Sequence, residues 1–138
     1  MYGKYRHTAD PKGRLIVPSK LRDELGDAFY VTLGLDHCLT VYTEEGWQGI
    51  LDRYNAMPIS QSRKIRFLFA NAAKCEPDKQ GRFLLPTELR EYAGLQQEVT
   101  FIGQGGHAEI WDSGTYDALE KETLTPENLA AAMEELGF

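Results

Sequence analysis

The sequence has few cysteines that could stabilise a small protein through disulfides, and it has no segment that could cross a membrane. Its 138 residues include only two cysteines, Cys38 and Cys75, which are far apart and form no Cys-x-x-Cys motif. Two such thiols cannot staple a domain of this size, so reduced cytosolic thiols are expected. No apolar run approaches the ~20 residues of a membrane span. The residues before His7 lack the apolar core of a secretory signal. We therefore expect a soluble cytoplasmic protein without a membrane partner.

Signatures of catalysis and of metal binding are also missing. The three histidines, His7, His37 and His107, do not have the spacing typical of metal ligands. The chain contains neither a Gly-x-Ser-x-Gly motif nor a phosphate-binding Gly-x-x-x-x-Gly-Lys loop. A small metal-dependent hydrolase would need His7, Asp10 and His37 to converge. The sequence thus predicts a protein that is not an enzyme and that has no cofactor and no metal.

The charge is uneven along the chain. The net charge of −6 is unlike the basic footprint of a simple DNA-binding domain. Residues 1–22 nevertheless hold six basic residues against one acid, and residues 60–90 hold seven against three. Because local fields decay over ~8–10 Å in physiological salt, a basic face can function on an acidic protein. The alternative is that these basic and acidic segments are only ordinary solvent-exposed surfaces without a binding function.

The alternation of charge follows an internal repeat. Residues 10–22 and 78–90 are identical at six of thirteen positions, with an offset of 68 residues. The offset becomes 69 further on, where residues 41–42 match residues 110–111. Two copies of one supersecondary unit are indicated. A unit of about 50 residues is too small to bury a sufficient core alone, so we expect the copies to pack about a pseudo-two-fold axis.

Each copy has the same order of predicted elements. A short strand, a glycine turn and a second strand ending at Pro18 or Pro86 come first. A short helix, two strands and a longer helix follow. We divide the chain into a first module (1–57), a connecting helix (58–72), a second module (73–122) and a C-terminal helical tail (123–138).

The two segments outside the repeat have helical patterns. The connector's apolar residues at helical spacing predict one helix with a face buried in the core: Ile65, Leu68, Phe69 and Ala72. In the tail, Thr125 precedes Pro126, which is typical of an N-cap and first helical residue. The apolar face of the tail could dock on its own domain or on a neighbouring subunit.

The chain contains two Asp-x-x-x-Arg motifs, and each is followed by an apolar strand and a proline. Together with three further motifs, they form an ordered set. The set is Asp10-Pro-Lys12-Gly13-Arg14, Leu35-Asp36-His37-Cys38-Leu39, Asp78-Lys79-Gln80-Gly81-Arg82, Leu89-Arg90-Glu91-Tyr92-Ala93-Gly94-Leu95 and Glu109-Ile110-Trp111. This set covers the chain to about Leu119 and resembles the MraZ family of bacterial transcriptional regulators. The resemblance implies a mainly β, α+β fold of two tandem AbrB-like swapped-hairpin β-barrel modules related by a pseudo-two-fold axis.

The same resemblance implies a function and partners. Members assemble into homo-oligomeric rings and bind double-stranded DNA at repeated promoter sites of the cell-division and cell-wall gene cluster. A cytoplasmic, nucleoid-associated transcription factor is therefore expected. Family DNA binding maps here onto Asp10 and Arg14, and onto Asp78 and Arg82.

The loop residues suit this role on physical grounds. Gly13 and Gly81 permit a positive φ in a tight turn, which we expect at a hairpin tip. The motif arginine has a planar fork of donors that can bind guanine or phosphate at two points. The motif aspartate, four residues earlier, can hold that fork in one geometry and so lower the ordering cost of binding. The structural alternative is an Asp–Arg pair that only closes the hairpin.

The two copies are not equal. Lys12 adds a phosphate contact where the second copy has Gln80, and Lys4 and Arg6 add positive charge ahead of the first loop. We therefore expect the first loop to dominate DNA contact, and the second to serve barrel closure or subunit packing.

Two further interpretations complete the sequence analysis. Arg22 and Arg90 occupy equivalent positions near helix ends, where we expect a structural role facing the helix dipole. The main functional alternative is a cytosolic oligomeric adaptor that binds protein through its acidic faces and its C-terminal helix, without DNA specificity.

Overall fold

The structure, a computed structural model, describes residues 1–138. The strands are β1 (Lys4–Thr8), β2 (Arg14–Ile16), β3 (Phe29–Leu33), β4 (Leu39–Thr43), β5 (Ala73–Cys75), β6 (Arg82–Leu84), β7 (Glu98–Gly103) and β8 (His107–Asp112). The helices are α1 (Ser19–Leu25), α2 (Glu44–Ala56), α3 (Ile59–Ser62), α4 (Arg66–Ala70), α5 (Thr87–Tyr92), α6 (Ser113–Thr123) and α7 (Pro126–Glu135). The order of elements repeats once, as the sequence predicts.

The strands form one antiparallel sheet and one small ribbon. The six-stranded sheet has the order β1-β7-β8-β4-β3-β5, and β2 pairs with β6 in the separate ribbon. When every strand is replaced by its counterpart in the other repeat, the same order results, read from the opposite edge of the sheet. In the ribbon, Leu15 lies opposite Phe83, and in the sheet Thr40 lies opposite Glu109. Each pair consists of equivalent positions, so the pseudo-two-fold axis passes through both, as predicted.

The two repeats exchange their first strands. β1 pairs with β7 of the second repeat, and β5 pairs with β3 of the first. The α+β class and the exchange of strands are thus confirmed, but the strands do not close into barrels. β1 and β2 belong to the sheet and to the ribbon respectively, so they do not pair with each other. The loop between them is nevertheless a tight turn of the hairpin type, as predicted. The N–H of Gly13 donates to the carbonyl of Asp10 at 2.9 Å, and the N–H of Asp10 donates to the carbonyl of Arg14 at 3.0 Å.

One hydrophobic core lies between the sheet, the ribbon, α1 and α5. The side chain of Phe83 packs edge-on against Phe29 and Phe101, at centroid distances of 5.1 and 6.3 Å. Leu21 of α1 and Leu89 of α5 are buried in the same cluster. Both repeats therefore contribute to a shared core. The segment boundaries drawn from the sequence stay predictions.

The opposite face of the sheet is covered by the two longer helices, α2 and α6. The side chain of Thr43 caps α2 by accepting the N–H of Gly46 at 3.0 Å. In α6, the carboxylate of Asp112 accepts the N–H of Thr115 at 3.2 Å. The longest helix has 13 residues, and no helix combines the length and the hydropathy of a membrane span.

The prediction of a single connecting helix is wrong. Residues 59–70 form two short helices, α3 and α4, with a break before Arg66. The predicted apolar face is only half-buried. Phe69 packs on Trp47 at a centroid distance of 5.4 Å, and the hydroxyl of Thr32 donates to the carbonyl oxygen of Leu68 at 2.5 Å. The connector thus docks on the outer face of β3 and on α2 rather than in the core.

The C-terminal helix begins as predicted. Thr125 caps α7 by accepting the N–H of Asn128 at 3.1 Å, and Pro126 is its first residue. Leu129, Met133 and Leu136 are exposed. The apolar face of α7 is therefore not covered by its own chain.

Candidate nucleic-acid interface

The β2–β6 ribbon has a buried face and an open face. Because side chains alternate along a strand, Leu15 and Phe83 point into the core. The open face carries the other four ribbon residues: Arg14, Ile16, Arg82 and Leu84. The two motif arginines stand diagonally on this face, about 7 Å apart along the strand direction. The pseudo-two-fold axis thus brings both motifs to one surface.

Sequence reasoning missed one residue of this surface. Leu84 is the ladder partner of Arg14, and 58% of it is exposed. The sequence predicts an apolar strand between the second motif and Pro86, without assigning its residues to a buried and an open face. The two-residue alternation of Arg82 with Leu84 around Phe83 was the signal that could have placed Leu84 outside.

The first loop is organised by one carboxylate. Asp10 Oδ1 accepts the backbone N–H groups of Lys12 and Arg14 at 2.9 and 2.8 Å, and Oδ2 accepts Nε–H of Arg14 at 2.6 Å. Gly13, at φ 80°, completes the turn by donating its N–H to the carbonyl of Asp10 at 2.9 Å. The terminal nitrogens of Arg14 make no hydrogen bond. The loop therefore fixes the guanidinium through Nε and leaves its outer edge open to a ligand.

The second loop repeats this geometry with one difference. Asp78 Oδ1 accepts the N–H groups of Gln80 and Arg82, both at 2.9 Å, and Oδ2 accepts Nε–H of Arg82 at 2.9 Å. Gly81 has φ 81°. Here, however, Nη2 of Arg82 donates to the side-chain oxygen of Gln80 at 3.2 Å. Part of the outer edge of Arg82 is therefore occupied within its own loop.

The hydrogen bonds lower the pKa of both loop aspartates. For Asp10, the backbone N–H of Arg14 is the main cause of the lowered pKa, and the guanidinium of Arg14 and the N–H of Lys12 add to it. For Asp78, the backbone N–H of Arg82 is the main cause of the lowered pKa. Both carboxylates are therefore ionised at neutral pH and can hold their arginines.

Lys4 and Arg6 lie away from the two loops. Their side chains leave β1 on the face of the sheet that carries α6, opposite the ribbon. Lys4 Nζ contacts Glu120 at 2.6 Å, and Arg6 pairs with Asp117 and, at 3.6 Å, with Glu98. The structure thus does not bring these two predicted site residues together with Lys12, Gly13 and Arg14. Their charges are matched by acids that the sequence did not associate with them.

Arg22 and Arg90 reach loops instead of helix ends. Nε of Arg22 donates to the carbonyl of Val17 at 3.0 Å, and Nη2 donates to the carbonyl of Gln80 in the second loop at 2.9 Å. The prediction that these arginines face their helix dipoles is wrong. Helical side chains tilt toward the helix N-terminus, which directs each guanidinium back to the ribbon.

The surroundings of the two loops differ in charge. A recess of about 360 Å³ beside the first loop is lined by one acid, Asp10, by one base, Arg90, and otherwise by neutral residues. The equivalent recess beside the second loop, of about 310 Å³, is lined by three acids and two bases: Asp23, Asp27, Asp78, Arg22 and Lys79. The second recess therefore has one more negative charge than the first.

The structure contains no cluster that could hold a metal ion. No three residues among His, Cys, Asp and Glu converge, so His7, Asp10 and His37 do not form the set that a hydrolase would need. Both cysteines are buried. Burial raises the pKa of the Cys75 thiol to about 12, which keeps it protonated.

Comparison with known proteins identifies two tandem matches to one family. The family described as "MraZ protein, putative antitoxin-like" matches residues 1–69 and again residues 68–136. These two matches coincide with the internal repeat.

Relatives of similar length match most or all of the chain. A protein of Halothermothrix orenii is 45% identical over 140 residues, which are 99% of this chain and 98% of that protein. A protein of Caldicellulosiruptor bescii is 43% identical over 142 residues, with 100% and 99% covered. A protein of Carboxydothermus hydrogenoformans is 49% identical over 112 residues, with 79% and 78% covered. Each of the three is named "Transcriptional regulator MraZ".

Proposed function

The chain belongs to the MraZ family, and from this premise we propose that it binds double-stranded DNA sequence-specifically through the open face of the β2–β6 ribbon. The names of its full-length relatives identify a transcriptional regulator rather than an enzyme. The observation that carries the proposal is the state of Arg14. Asp10 holds its Nε, while both terminal nitrogens make no hydrogen bond and the side chain is partly exposed.

The shape of the ribbon fits the major groove. Two strands lie ≈ 4.7–4.9 Å apart, and the major groove of B-DNA, ≈ 12 Å wide, admits a two-stranded ribbon. In that position, Arg14 donates its terminal N–H groups to O6 and N7 of a guanine. Its guanidinium is already oriented by Asp10, so less conformational entropy is lost on binding.

The neighbouring loop residues contribute position rather than sequence information. Lys12 is exposed, and its ammonium group contacts a phosphate. The second loop contributes less, because Gln80 occupies part of Arg82 and because the two acids beside it, Asp23 and Asp27, outnumber the additional base, Lys79. Lys4 and Arg6 act at most as distant contributors, since acids of α6 and β7 pair with them.

Oligomerisation completes the proposal. We assign to the chain a homo-oligomeric ring that presents several copies of the ribbon to direct repeats in the promoter of the cell-division and cell-wall gene cluster. A ring raises avidity on repeated sites by ~10²–10⁴-fold through effective concentration. The exposed apolar face of α7 is available for contacts between subunits. In this role, the protein works at the nucleoid in the cytoplasm.

The test is fluorescence anisotropy with the duplex upstream of the protein's own gene and a scrambled duplex of equal length. Wild type, Arg14→Ala and a control, Arg53→Ala on the distant helix α2, are titrated over a range of salt concentrations. We expect specific binding by wild type and by the control, and its loss in Arg14→Ala. Each neutralised phosphate contributes ~−0.9 to the slope of log K against log salt.

The alternative function predicts a different result. A protein-binding adaptor would bind both duplexes equally weakly, and Arg14→Ala would change nothing. That outcome would contradict the DNA-reading role of the ribbon and direct attention to the acidic faces and to α7.

A further inference from the structure

We propose that Arg90, which belongs to the second repeat, is the positioning residue of the first loop and so controls how Arg14 reads DNA. The inference rests on the DNA-binding function proposed above and extends it across the pseudo-two-fold axis. The counterpart, Arg22 of the first repeat, supports the second loop.

Arg90 is itself held rigidly. It lies on α5, and its side chain is directed back toward β6. Nε donates to the carbonyl of Leu85 at 3.2 Å, and Nη2 donates to the hydroxyl of Thr87 at 3.0 Å. Both partners are in the same repeat as Arg90. Its guanidinium plane is thereby fixed before any contact with the first loop is made.

The fixed guanidinium lies directly against Gly13. A Cβ atom added to Gly13 would lie only 2.5 Å from Cζ of Arg90, so the glycine leaves room for the planar group. Gly13 is buried and connects Lys12 to Arg14. A shift of Gly13 therefore moves the backbone N–H groups that Asp10 holds, and with them the guanidinium of Arg14.

The side chains of the second repeat make no hydrogen bond to residues 10–13 at the tip of the first loop. The preceding residue is anchored, because the N–H of Ala9 donates to the carbonyl of Gln97 at 2.7 Å. The packing of Arg90 against Gly13 is therefore the side-chain contact that limits the movement of the tip toward the second repeat. A small displacement matters because the two hydrogen bonds to a guanine edge require correct placement of the fork.

The second loop has the same packing contact and, in addition, hydrogen bonds to the first repeat. Arg22 lies against Gly81, where an added Cβ would be 2.7 Å from Cζ of Arg22. Arg22 donates to the carbonyl of Gln80 at 2.9 Å, and the N–H of Val17 donates to the carbonyl of Gly81 at 2.9 Å. Removal of Arg22 therefore leaves one hydrogen bond in place. Removal of Arg90 leaves the tip of the first loop without any such contact.

The experiment compares Arg90→Gln with the matched variant Arg22→Gln in the full-length protein. The measured quantity is the ratio of affinities for the upstream duplex and the scrambled duplex. We expect Arg90→Gln to lower this ratio about tenfold, in the range of one misplaced base contact. Arg22→Gln, although closer in sequence to the first loop, is expected to change it by less than about threefold.

A second measurement separates positioning from general stability. In ¹H–¹⁵N spectra, the Gly13 amide is expected to shift in Arg90→Gln, and the Gly81 amide in Arg22→Gln. The unfolding midpoints of the two variants are expected to agree with each other. Arg90→Lys retains the aliphatic part of the side chain and its charge but lacks the planar guanidinium. It is therefore expected to lower the ratio of affinities for the two duplexes as Arg90→Gln does.

Three outcomes would overturn the proposed role of Arg90. If Arg14→Ala still loses specific binding, these outcomes leave the DNA-binding function of the ribbon intact. The first is a wild-type ratio in Arg90→Gln, or in Arg90→Lys if the glutamine variant fails to fold. The second is an equal loss of affinity for both duplexes with a salt slope shallower by ~0.9, which identifies Arg90 as a phosphate contact. The third is an unmoved Gly13 amide. A wild type that does not distinguish the duplexes overturns the proposed function as well.

Discussion

The two loops of this protein have the same internal hydrogen bonds and different surroundings. In each, an aspartate accepts two backbone N–H groups and the Nε–H of an arginine four residues later. The first loop leaves the terminal nitrogens of Arg14 open, whereas Gln80 engages Arg82. An arginine of the opposite repeat packs against the glycine of each loop, Arg90 against Gly13 and Arg22 against Gly81, and only the second loop is also hydrogen-bonded by Arg22 and Val17.

This comparison separates two contributions to a binding surface. The internal bonds set the conformation of each loop, and they are equal. Contacts from the opposite repeat set how firmly the loop is held and which charges lie next to it, and they are unequal. A duplicated motif can therefore retain its geometry in both copies while only one copy stays suited to an anionic ligand.

The largest expected effect is the difference in specific DNA affinity between Arg14→Ala and Arg82→Ala. Arg14→Ala removes one base contact worth ≈ 1–3 kcal/mol, which is about 5- to 150-fold in specific affinity per site. Arg82→Ala should cost less than about fivefold, because its fork is partly occupied. Anisotropy titrations measure both. Equal losses would show that the ring uses the two loops alike.

The next effect concerns the two loop glycines. Gly13→Ala and Gly81→Ala each place a side chain at φ near 80°, which costs about 1–2 kcal/mol. The two losses should be similar, because a new Cβ displaces an arginine with two hydrogen bonds in either case, Arg90 at Gly13 and Arg22 at Gly81. Denaturant unfolding measures both free energies. Clearly unequal losses would show that the packing of the two arginines contributes differently to stability.

A smaller effect follows from exchanging the residues that differ in the tips. Lys12→Gln should make the salt slope shallower by ~0.9, with only a few-fold loss of affinity at moderate salt. Gln80→Lys should free Nη2 of Arg82 and steepen the slope by a similar amount. Salt titrations of the two variants and of the double exchange test this. An unchanged slope in Lys12→Gln would remove Lys12 from the phosphate contacts.

The smallest expected effect concerns the pH dependence of stability, which should be the same for the aspartates of both loops. The pKa values of Asp10 and Asp78 are lowered in the folded protein, so their contribution to stability is complete above the unfolded value of about 3.9. It is lost as the pH falls through the lower, folded pKa. Carboxyl ¹³C titrations should place both groups below pH ~3.9. An ordinary pKa at one of the two would show that the loops differ in solution.

Several elements could be predicted because their signals are local. The strands, the start of α7 at its cap and the duplication all follow from patterns within a few residues. The connector could not, because a helical spacing of apolar residues does not say what they pack against. Phe69 packs on Trp47 at the outer face of the sheet, and the connector forms two short helices instead of one.

In the candidate site, too, the features with a local sequence signal were predicted and those that depend on tertiary packing were not. The Asp-x-x-x-Arg spacing with a glycine between indicated a clamped arginine in both loops. Lys4 and Arg6 were grouped with the loop on charge alone, and their acidic partners, Glu120 and Asp117, are more than a hundred residues away in the chain. Only the packing of α6 against the sheet could reveal those pairs.

By itself, the sequence determined the internal conformation of each loop, because an aspartate, a glycine and an arginine within five residues interact without help from the rest of the chain. It also determined the two-fold relation, since two equal units pack most simply as a symmetric pair. The tertiary structure alone decided which repeat supports which loop. Strand exchange pairs β2 with β6 through backbone hydrogen bonds that any residue can form. No local pattern therefore records that Arg90 lies against Gly13, or that Arg22 holds the loop of the other repeat.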